Sequence, residues 1–300
     1  MLKRFLDYLR YERNVSERTL TTYRVGLEKF RAFWCSLDSE LTWETIPRDV
    51  IRSWVVQMMD DGLKPTSVAT HLSAVRTMYR YMLKMGYVQT DPARGLQPPK
   101  RERALPGYVP ERDMDRLFEM VQFTPDYQGQ RDRLIMLMLY STGLRVSELI
   151  SLNVEDVDLV QCQLKVTGKR NKQRIIPFGP ELKDSIEGYL PIRKEFREQH
   201  KGTGLSDADA LFLNKKGSGR ISYLGVRAVT VSNLSLVTDQ KKKSPHVLRH
   251  SFATAMLNHD ADLMSIKELL GHESVGTTEI YTHMAFEDLK KAYKKAHPRD

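Results

Sequence analysis

The first ninety residues carry four stretches in which apolar residues recur every three or four positions, as on the buried face of a helix. The predicted helices begin near Leu2, Ser16, Pro47 and Pro65, and Gly62 ends the third. Proline in the first helical turn and glycine just past the last turn are typical of helix ends. The pattern therefore predicts a compact domain of four helices.

The polar faces of these four helices carry basic side chains, which are Arg24, Arg31, Arg52, Lys64, Arg76 and Arg80. Such side chains could line a groove against a phosphate backbone. Any one of them could equally be a solvated charge on an ordinary bundle.

Prolines and basic residues become frequent over residues 89–108, which indicates a semi-extended linker. Beyond it, the pattern predicts helices near 110–121, 129–142, 180–199 and 222–235, and another that begins at Arg145. Short strands are expected at 154–158, 163–167, 173–177 and 211–213. The second domain is thus predicted to combine helices with a small antiparallel sheet, and Lys169 lies in the hairpin turn 168–171.

The stretch 244–281 concentrates imidazoles, a guanidinium and a phenol. Ser244 and Pro245 are expected to cap and begin a helix. His246 and Arg249 are three residues apart, so both lie near the positive end of that helix, where an anion such as phosphate is favoured. The start of this helix is therefore a candidate phosphate-binding site.

A second helix over 262–271 should end at Gly271, which leaves His272 on a turn. Tyr281 follows on a short helix that Ser274 could cap, and its neighbours give no other reason for a phenol. Tyr281 is therefore a candidate nucleophile. Upstream, one helix is expected to end at Gly143 and the next to begin with Arg145.

Composition narrows the function classes. The chain has 300 residues, 41% of them hydrophobic, a formal charge of +9 and a pI near 9.4. These values fit two globular domains with a polyanionic partner. Cys35 and Cys162 are too few for a disulfide framework, and the longest apolar run has seven residues against the roughly 20 that cross a bilayer. We expect a cytoplasmic protein without a membrane segment.

Five motifs occur in order along the second domain. They are Thr-Gly-Leu-Arg-Val-Ser-Glu-Leu from 142, Gly-Lys-Arg-Asn-Lys from 168, His-Val-Leu-Arg-His from 246, Leu-Leu-Gly-His from 269 and Ile-Tyr-Thr-His from 280. The set resembles the tyrosine site-specific recombinases of the phage-integrase family, most closely the Xer type. The resemblance implies a mainly α protein with an N-terminal four-helix core-binding (SAM-like) domain and a C-terminal α+β catalytic domain containing a three-stranded antiparallel sheet.

The resemblance also divides the chain and assigns roles. The implied domains are 1–88 (core binding), 89–108 (linker), 109–284 (catalysis) and 285–300 (a C-terminal helix exchanged between subunits). The implied catalytic residues are Arg145, Lys169, His246, Arg249, His272 and Tyr281, with Glu148 orienting the site. Planar guanidinium groups suit a phosphate, and the neighbouring cations help a phenol whose ordinary pKa is about 10.

Lys172 and Arg174, beside Lys169, could be solvated strand charges or phosphate contacts. His246 and His250 could form a zinc pair, but the motif lacks the glutamate of His-Glu-x-x-His. Neither a metal nor another cofactor is expected, and a phosphotyrosyl bond conserves enough energy to be rejoined without ATP.

The implied partner is double-stranded DNA with inverted half-sites, bound by a homo- or hetero-tetramer. A paralogous recombinase and a DNA-translocating motor are further expected partners. Chromosome dimer resolution is the implied role. A mobile-element integrase, a type IB-like topoisomerase and a non-catalytic DNA-binding protein remain alternatives.

Overall fold

The computed structural model describes residues 1–100, 107–168, 172–200, 207, 209–271, 293, 296 and 297. The chain divides into two compact units, Met1–Ala104 and Leu105–Asp300. The boundary falls inside the predicted linker, 89–108. Each unit has a hydrophobic core of its own.

The first unit is built from four helices, as the apolar periodicity predicts. They are α1 (Leu2–Asp7, which continues as a π-helical turn over Tyr8–Glu12), α2 (Glu17–Leu37), α3 (Arg48–Asp60) and α4 (Pro65–Lys84). The Ser16 hydroxyl caps α2 by accepting a hydrogen bond from the Thr19 amide. Pro47 is the residue before α3 rather than its first, whereas Pro65 opens α4.

The core of this unit is rich in aromatic side chains. Phe30, Trp34 and Trp54 are at most 4% exposed, and the ring centroids of Trp34 and Trp43 are 4.3 Å apart. Aromatic groups bury large areas and stabilise small cores efficiently. The polar faces remain accessible: of the predicted DNA contacts, Arg76 is half-buried, and the exposed ones are Arg24, Arg31, Arg52, Lys64 and Arg80.

The described part of the second unit combines helices with a small sheet. The helices are α5 (Glu111–Met120), α6 (Tyr127–Thr142), α7 (Val146–Ser151), α8 (Pro180–Gln199), α9 (Tyr223–Leu234), α10 (Pro245–Asn258) and α11 (Leu263–Leu270). Helix α6 is central, since every residue from Leu134 to Thr142 is buried. It packs against α8, α9 and α10.

The sheet has three antiparallel strands in the order β1 (Val157–Asp158), β2 (Gln163–Thr167) and β3 (Gln173–Pro177). This confirms the predicted sheet, with two corrections. The predicted strand 154–158 is mostly a 3₁₀ turn, Val154–Asp156, because Asn153 and Asp156 form a capping box there. The stretch 211–213 is not a strand, and only one isolated bridge involves it, between Leu213 and Arg220.

The described residues near the C-terminus pack into the core of the second unit. Tyr293, Ala296 and His297 are at most 5% exposed. The Tyr293 hydroxyl donates a 2.9 Å hydrogen bond to the Ser141 carbonyl, and its ring stacks on that of His297 with centroids 5.0 Å apart. The resemblance implied that residues 285–300 form a helix exchanged between subunits, and here Tyr293 and Ala296 are buried in the core of their own chain.

None of the helices in the described parts of the chain is both long and apolar enough to cross a membrane.

Candidate active site

The site is organised around two helix ends that close with glycine. Gly143 follows α6 with φ +60°, and Gly271 follows α11 with φ +62°, both in the left-handed region that glycine enters most easily. Both ends are tightly packed. A Cβ on Gly143 would lie 2.5 Å from Phe252 Cδ1, and one on Gly271 would lie 3.2 Å from the guanidinium carbon of Arg174.

Arg249 joins these two helix ends. Its Nη1 donates to the Gly143 carbonyl and its Nη2 to the Leu270 carbonyl, each at 2.6 Å. The residue is only 8% exposed. Burial lowers the pKa of Arg249 to about 10, with a further contribution from the charge of Arg145 that Glu148 partly offsets. The group therefore stays charged near neutral pH.

Arg145 caps the beginning of α7 and is held by Glu148. The Arg145 amide donates to Glu148 Oε2, which is the glutamate half of a capping box, and Arg145 Nη1 donates to Glu148 Oε1 as an ion pair, each at 2.8 Å. Nη2 donates to the Gly271 carbonyl at 2.8 Å. The side chain is 36% exposed, so part of the guanidinium faces solvent. This geometry fits the orienting role expected of Glu148.

Arg174, for which the sequence left open a solvated strand charge or a phosphate contact, is a member of this arginine cluster. Its Nη1 and Nη2 form a fork on Glu148, at 2.8 Å to Oε1 and 2.9 Å to Oε2. Its Nε donates to the Leu269 carbonyl at 3.1 Å. Because the side chain is 9% exposed, the interpretation of Arg174 as a solvated strand charge is wrong.

Three consecutive carbonyls at the end of α11 thus accept from three arginines: Leu269 from Arg174, Leu270 from Arg249 and Gly271 from Arg145. The last carbonyls of a helix have no partner within the helix and carry its partial negative charge, so guanidinium groups stabilise them. Among the described residues, the ionised side chain that pairs with this cluster is Glu148. The cluster therefore keeps a surplus of positive charge, as an anion-binding site requires.

Glu148 is buried, and burial alone would raise the pKa of its carboxyl group. The hydrogen bonds and charge of Arg174, together with the hydrogen bonds from Arg145, outweigh this effect, so the pKa of Glu148 is lowered. The carboxylate is therefore ionised throughout the neutral range.

His246 lies in the first turn of α10, which begins at Pro245 as predicted. Ser244 occupies the N-cap position, but its hydroxyl makes no capping hydrogen bond to a described residue. His246 is exposed, while Arg249, three residues later, points into the core. His250 is also exposed, and among the described residues no group of His, Cys, Asp or Glu forms a candidate metal site.

The end of β2 adjoins the arginine cluster through Gly168. The Gly168 amide donates to the Lys172 carbonyl at 2.7 Å and closes the turn, and a Cβ on Gly168 would lie 3.6 Å from Glu148 Oε1. Lys172 is exposed. The structure therefore brings together Arg145, Glu148 and Arg249, with Arg174 in addition. Lys169, His272 and Tyr281 lie outside the described residues.

Family models match both units. The model of the phage integrase family matches residues 108–288, and that of the N-terminal SAM-like domain of phage integrases matches residues 2–86. The chain therefore belongs to the phage integrase family, which confirms the resemblance drawn from the five motifs. It is a tyrosine recombinase, an enzyme that cuts and rejoins DNA in site-specific recombination.

The similar proteins include Xer-type recombinases. The chain is 37% identical to tyrosine recombinase XerC of Chlorobaculum tepidum, covering 99% of this chain and 94% of the relative. It is 37% identical to XerC of Oceanobacillus iheyensis, covering 98% and 95%. Two solved structures share the fold. XerH site-specific recombinase bound to difH substrate has a TM-score of 0.67 and 21% identity, covering 97% of this chain and 84% of that one. The Tn1549 transposon integrase in complex with transposon right end DNA has a TM-score of 0.69 and 15% identity, covering 97% of this chain and 98% of that one.

Proposed function

We propose that this enzyme cuts DNA through a 3′-phosphotyrosyl bond to Tyr281 and that it resolves chromosome dimers. The observation that carries the chemical part is the positively charged cluster in which Arg145 and Arg249 share the end of α11. Near-full-length similarity to proteins named XerC supports the biological part. In that role the chain would work with a paralogous recombinase and a DNA-translocating motor.

In the proposed reaction, Arg145 and Arg249 bind the non-bridging oxygens of the scissile phosphate. Hydrogen bonds to backbone carbonyl oxygens already hold both guanidinium groups in place. The N–H groups that these bonds do not use can donate to the charged oxygens of the phosphate. A fixed set of guanidinium groups neutralises the charge that grows on phosphorus-bound oxygens in the transition state. Glu148 holds the direction of Arg145 during this step.

The phenolic oxygen of Tyr281 then bonds to phosphorus as the bond from phosphorus to the 5′ oxygen breaks. His246 accepts the phenol proton, Lys169 donates a proton to the departing 5′ oxygen, and His272 donates a hydrogen bond to the phosphate. Gly168 and Gly271, which precede Lys169 and His272 in sequence, both lie against the arginine cluster. Their positions support these assignments.

DNA binding would involve both units, which fits the formal net charge of +9 for the whole chain. We propose that residues 1–88 form the core-binding domain and that the exposed basic side chains of α2, α3 and α4 contact phosphates. Lys172, exposed beside the β2–β3 turn, is a further candidate phosphate contact. Residues 109–284 would form the catalytic domain.

Assembly would use the C-terminal segment 285–300. We propose that four subunits engage two sites with inverted half-sites and that the surface which buries Tyr293 and Ala296 accepts the same segment of a neighbour. Removing all residues after His283 should weaken assembly on DNA, because it removes the segment that docks on the neighbouring subunit. Band-shift experiments with one and two sites measure this effect, and unaltered synapsis by the truncated protein would contradict the exchange.

The Tyr281→Phe variant tests the chemical proposal. It should form no denaturant-resistant adduct with a nicked DNA substrate that traps cleavage, because phenylalanine has no oxygen to attack phosphorus. DNA affinity should be unchanged. Tyr108→Phe, at a 45% exposed tyrosine of the same unit, is the matched control and should form the adduct normally.

Exchange of flanking DNA between two target sites in the presence of EDTA tests the broader role. A recombinase that uses tyrosine and arginine should give recombinants without divalent metal. Relaxation of supercoils without exchange would favour a topoisomerase, and loss of cleavage in EDTA would indicate a metal-dependent nuclease. The DNA that the purified protein protects, read for half-site symmetry, identifies the target class.

A further inference from the structure

Arg174 lies on the face of β3 that is turned toward the core. It is opposite Val166 in the β2–β3 register and two residues before Ile176, and both of these residues are fully buried. A cation on such a face is costly unless it is paired. Its pairing with Glu148 and the Leu269 carbonyl satisfies that requirement and ties β3 to α7 and α11.

We propose that Arg174 is a positioning residue of the active site: it fixes Glu148 and the end of α11, and through them the directions of Arg145 and Arg249. The inference rests on the proposed function, because it assigns Arg174 a part in the same DNA cleavage. Arg174 itself does not touch the phosphate in this account.

The contacts require a guanidinium group. All three nitrogens of Arg174 are used, two on the Glu148 carboxylate and Nε on the Leu269 carbonyl. A lysine ammonium is a single point and cannot make the two-pronged contact together with the carbonyl bond. Substitution by lysine would therefore keep the charge and lose the geometry.

Arg174 also lies against both glycines that precede proposed catalytic residues. A Cβ on Gly271, before His272, would be 3.2 Å from Arg174 Nη1, and one on Gly168, before Lys169, would be 3.7 Å from the same atom. A shift of this guanidinium would therefore disturb the two chain segments that lead to His272 and Lys169. Misplacement by about 1 Å can slow a reaction by about 100-fold.

Single-turnover adduct formation at saturating DNA tests the proposal. Arg174→Met should reduce the rate by roughly 10- to 100-fold with little change in the DNA dissociation constant, because geometry is lost rather than a DNA contact. Arg174→Lys should recover the rate only in part. Lys165→Met removes a cation from the exposed face of β2 and controls for lost charge.

The double variant Glu148→Gln/Arg174→Met tests the route of the effect. If Arg174 acts through Glu148, adding Arg174→Met to Glu148→Gln should slow the reaction far less than it does in the wild type. Full additivity would overturn that route. Weaker DNA binding with an unchanged rate at saturation would instead make Arg174 a phosphate contact.

Amide hydrogen exchange without DNA separates this proposal from the proposed function. In Arg174→Met, protection should fall over Leu263–Gly271 while the amides of α6 stay protected, because the end of α11 loses a tether. Unchanged protection there would overturn the positioning role even if the variant were inactive. A wild-type protein that forms no adduct would refute the proposed function, whereas the exchange result would still decide whether Arg174 holds the helix end.

Discussion

Replacing Arg249 by lysine should slow DNA cleavage by about 100- to 1,000-fold while DNA affinity changes little, since one fixed donor to a developing anion contributes about that much. Arg249 reaches the Gly143 and Leu270 carbonyls at once, through two different nitrogens. Lysine has one nitrogen and cannot hold both helix ends while it binds phosphate. In this buried position a lysine would also lose its proton more readily than arginine does.

The rate is measured in a single turnover with the nicked substrate, and the affinity by titration of intact DNA. Arg116→Lys, at an exposed position on α5, is the matched control and should behave as the wild type. Wild-type cleavage by Arg249→Lys would show that the forked geometry of Arg249 is not used in the reaction.

Replacing Glu148 by glutamine should lower the free energy of unfolding by about 3 kcal/mol at neutral pH, because removing one partner of a buried ion pair leaves the others uncompensated. The side chain of Glu148 is 3% exposed and pairs with Arg145 and Arg174, and its charge partly offsets the lowering of the pKa of Arg249. Glutamine keeps the shape but not the charge. The Arg145 guanidinium should then become mobile and cleavage should slow.

The pH dependence of this effect has a definite sign. The pKa of Glu148 is lower in the folded protein than its ordinary value of about 4.3, so its contribution to stability is fully present above that value. The contribution is lost as pH falls through the lowered folded-state pKa. The stability difference between wild type and Glu148→Gln should therefore be constant near neutral pH and should shrink in acid below about pH 4.

Denaturant unfolding at a series of pH values measures this difference. Glu187→Gln, at a carboxylate that is 49% exposed and pairs with Lys183, should change stability by no more than about 0.5 kcal/mol. A wild-type minus Glu148→Gln difference that stays constant into strong acid would contradict a lowered pKa for Glu148.

Local sequence signals predicted the helices well, because single residues such as proline and glycine mark where a helix begins or ends. Gly143 and Gly271 both adopt the left-handed conformation expected of a glycine that ends a helix. The short strands were harder to predict. At 154–158 a local capping box competes with extended structure. Residues 211–213 form an apolar run that resembles a strand in the sequence and is buried in the fold, but only Leu213 forms a bridge, to Arg220.

The role of Arg174 could not be predicted for a similar reason. Ile175 and Ile176 are both apolar, so alternation along β3 did not show which of them faces the core. The structure buries Ile176 and leaves Ile175 43% exposed, which turns Arg174 inward with Ile176. The partner, Glu148, is 26 residues away in sequence and becomes a neighbour only when β3 pairs with β2.

The predicted helix starts singled out Arg145 and Arg249, and the family resemblance added Glu148. Their meeting at the end of α11 depends on contacts over 21 to 126 residues, which no local pattern encodes.

The most direct test of the whole account is to locate the DNA–protein bond. Wild-type protein is incubated with the nicked substrate in EDTA, the adduct is digested with protease and nuclease, and the modified peptide is sequenced by mass spectrometry. We expect a nucleotide joined through its 3′ phosphate to Tyr281. A bond to any other residue, or cleavage that proceeds without a covalent adduct, would contradict the account.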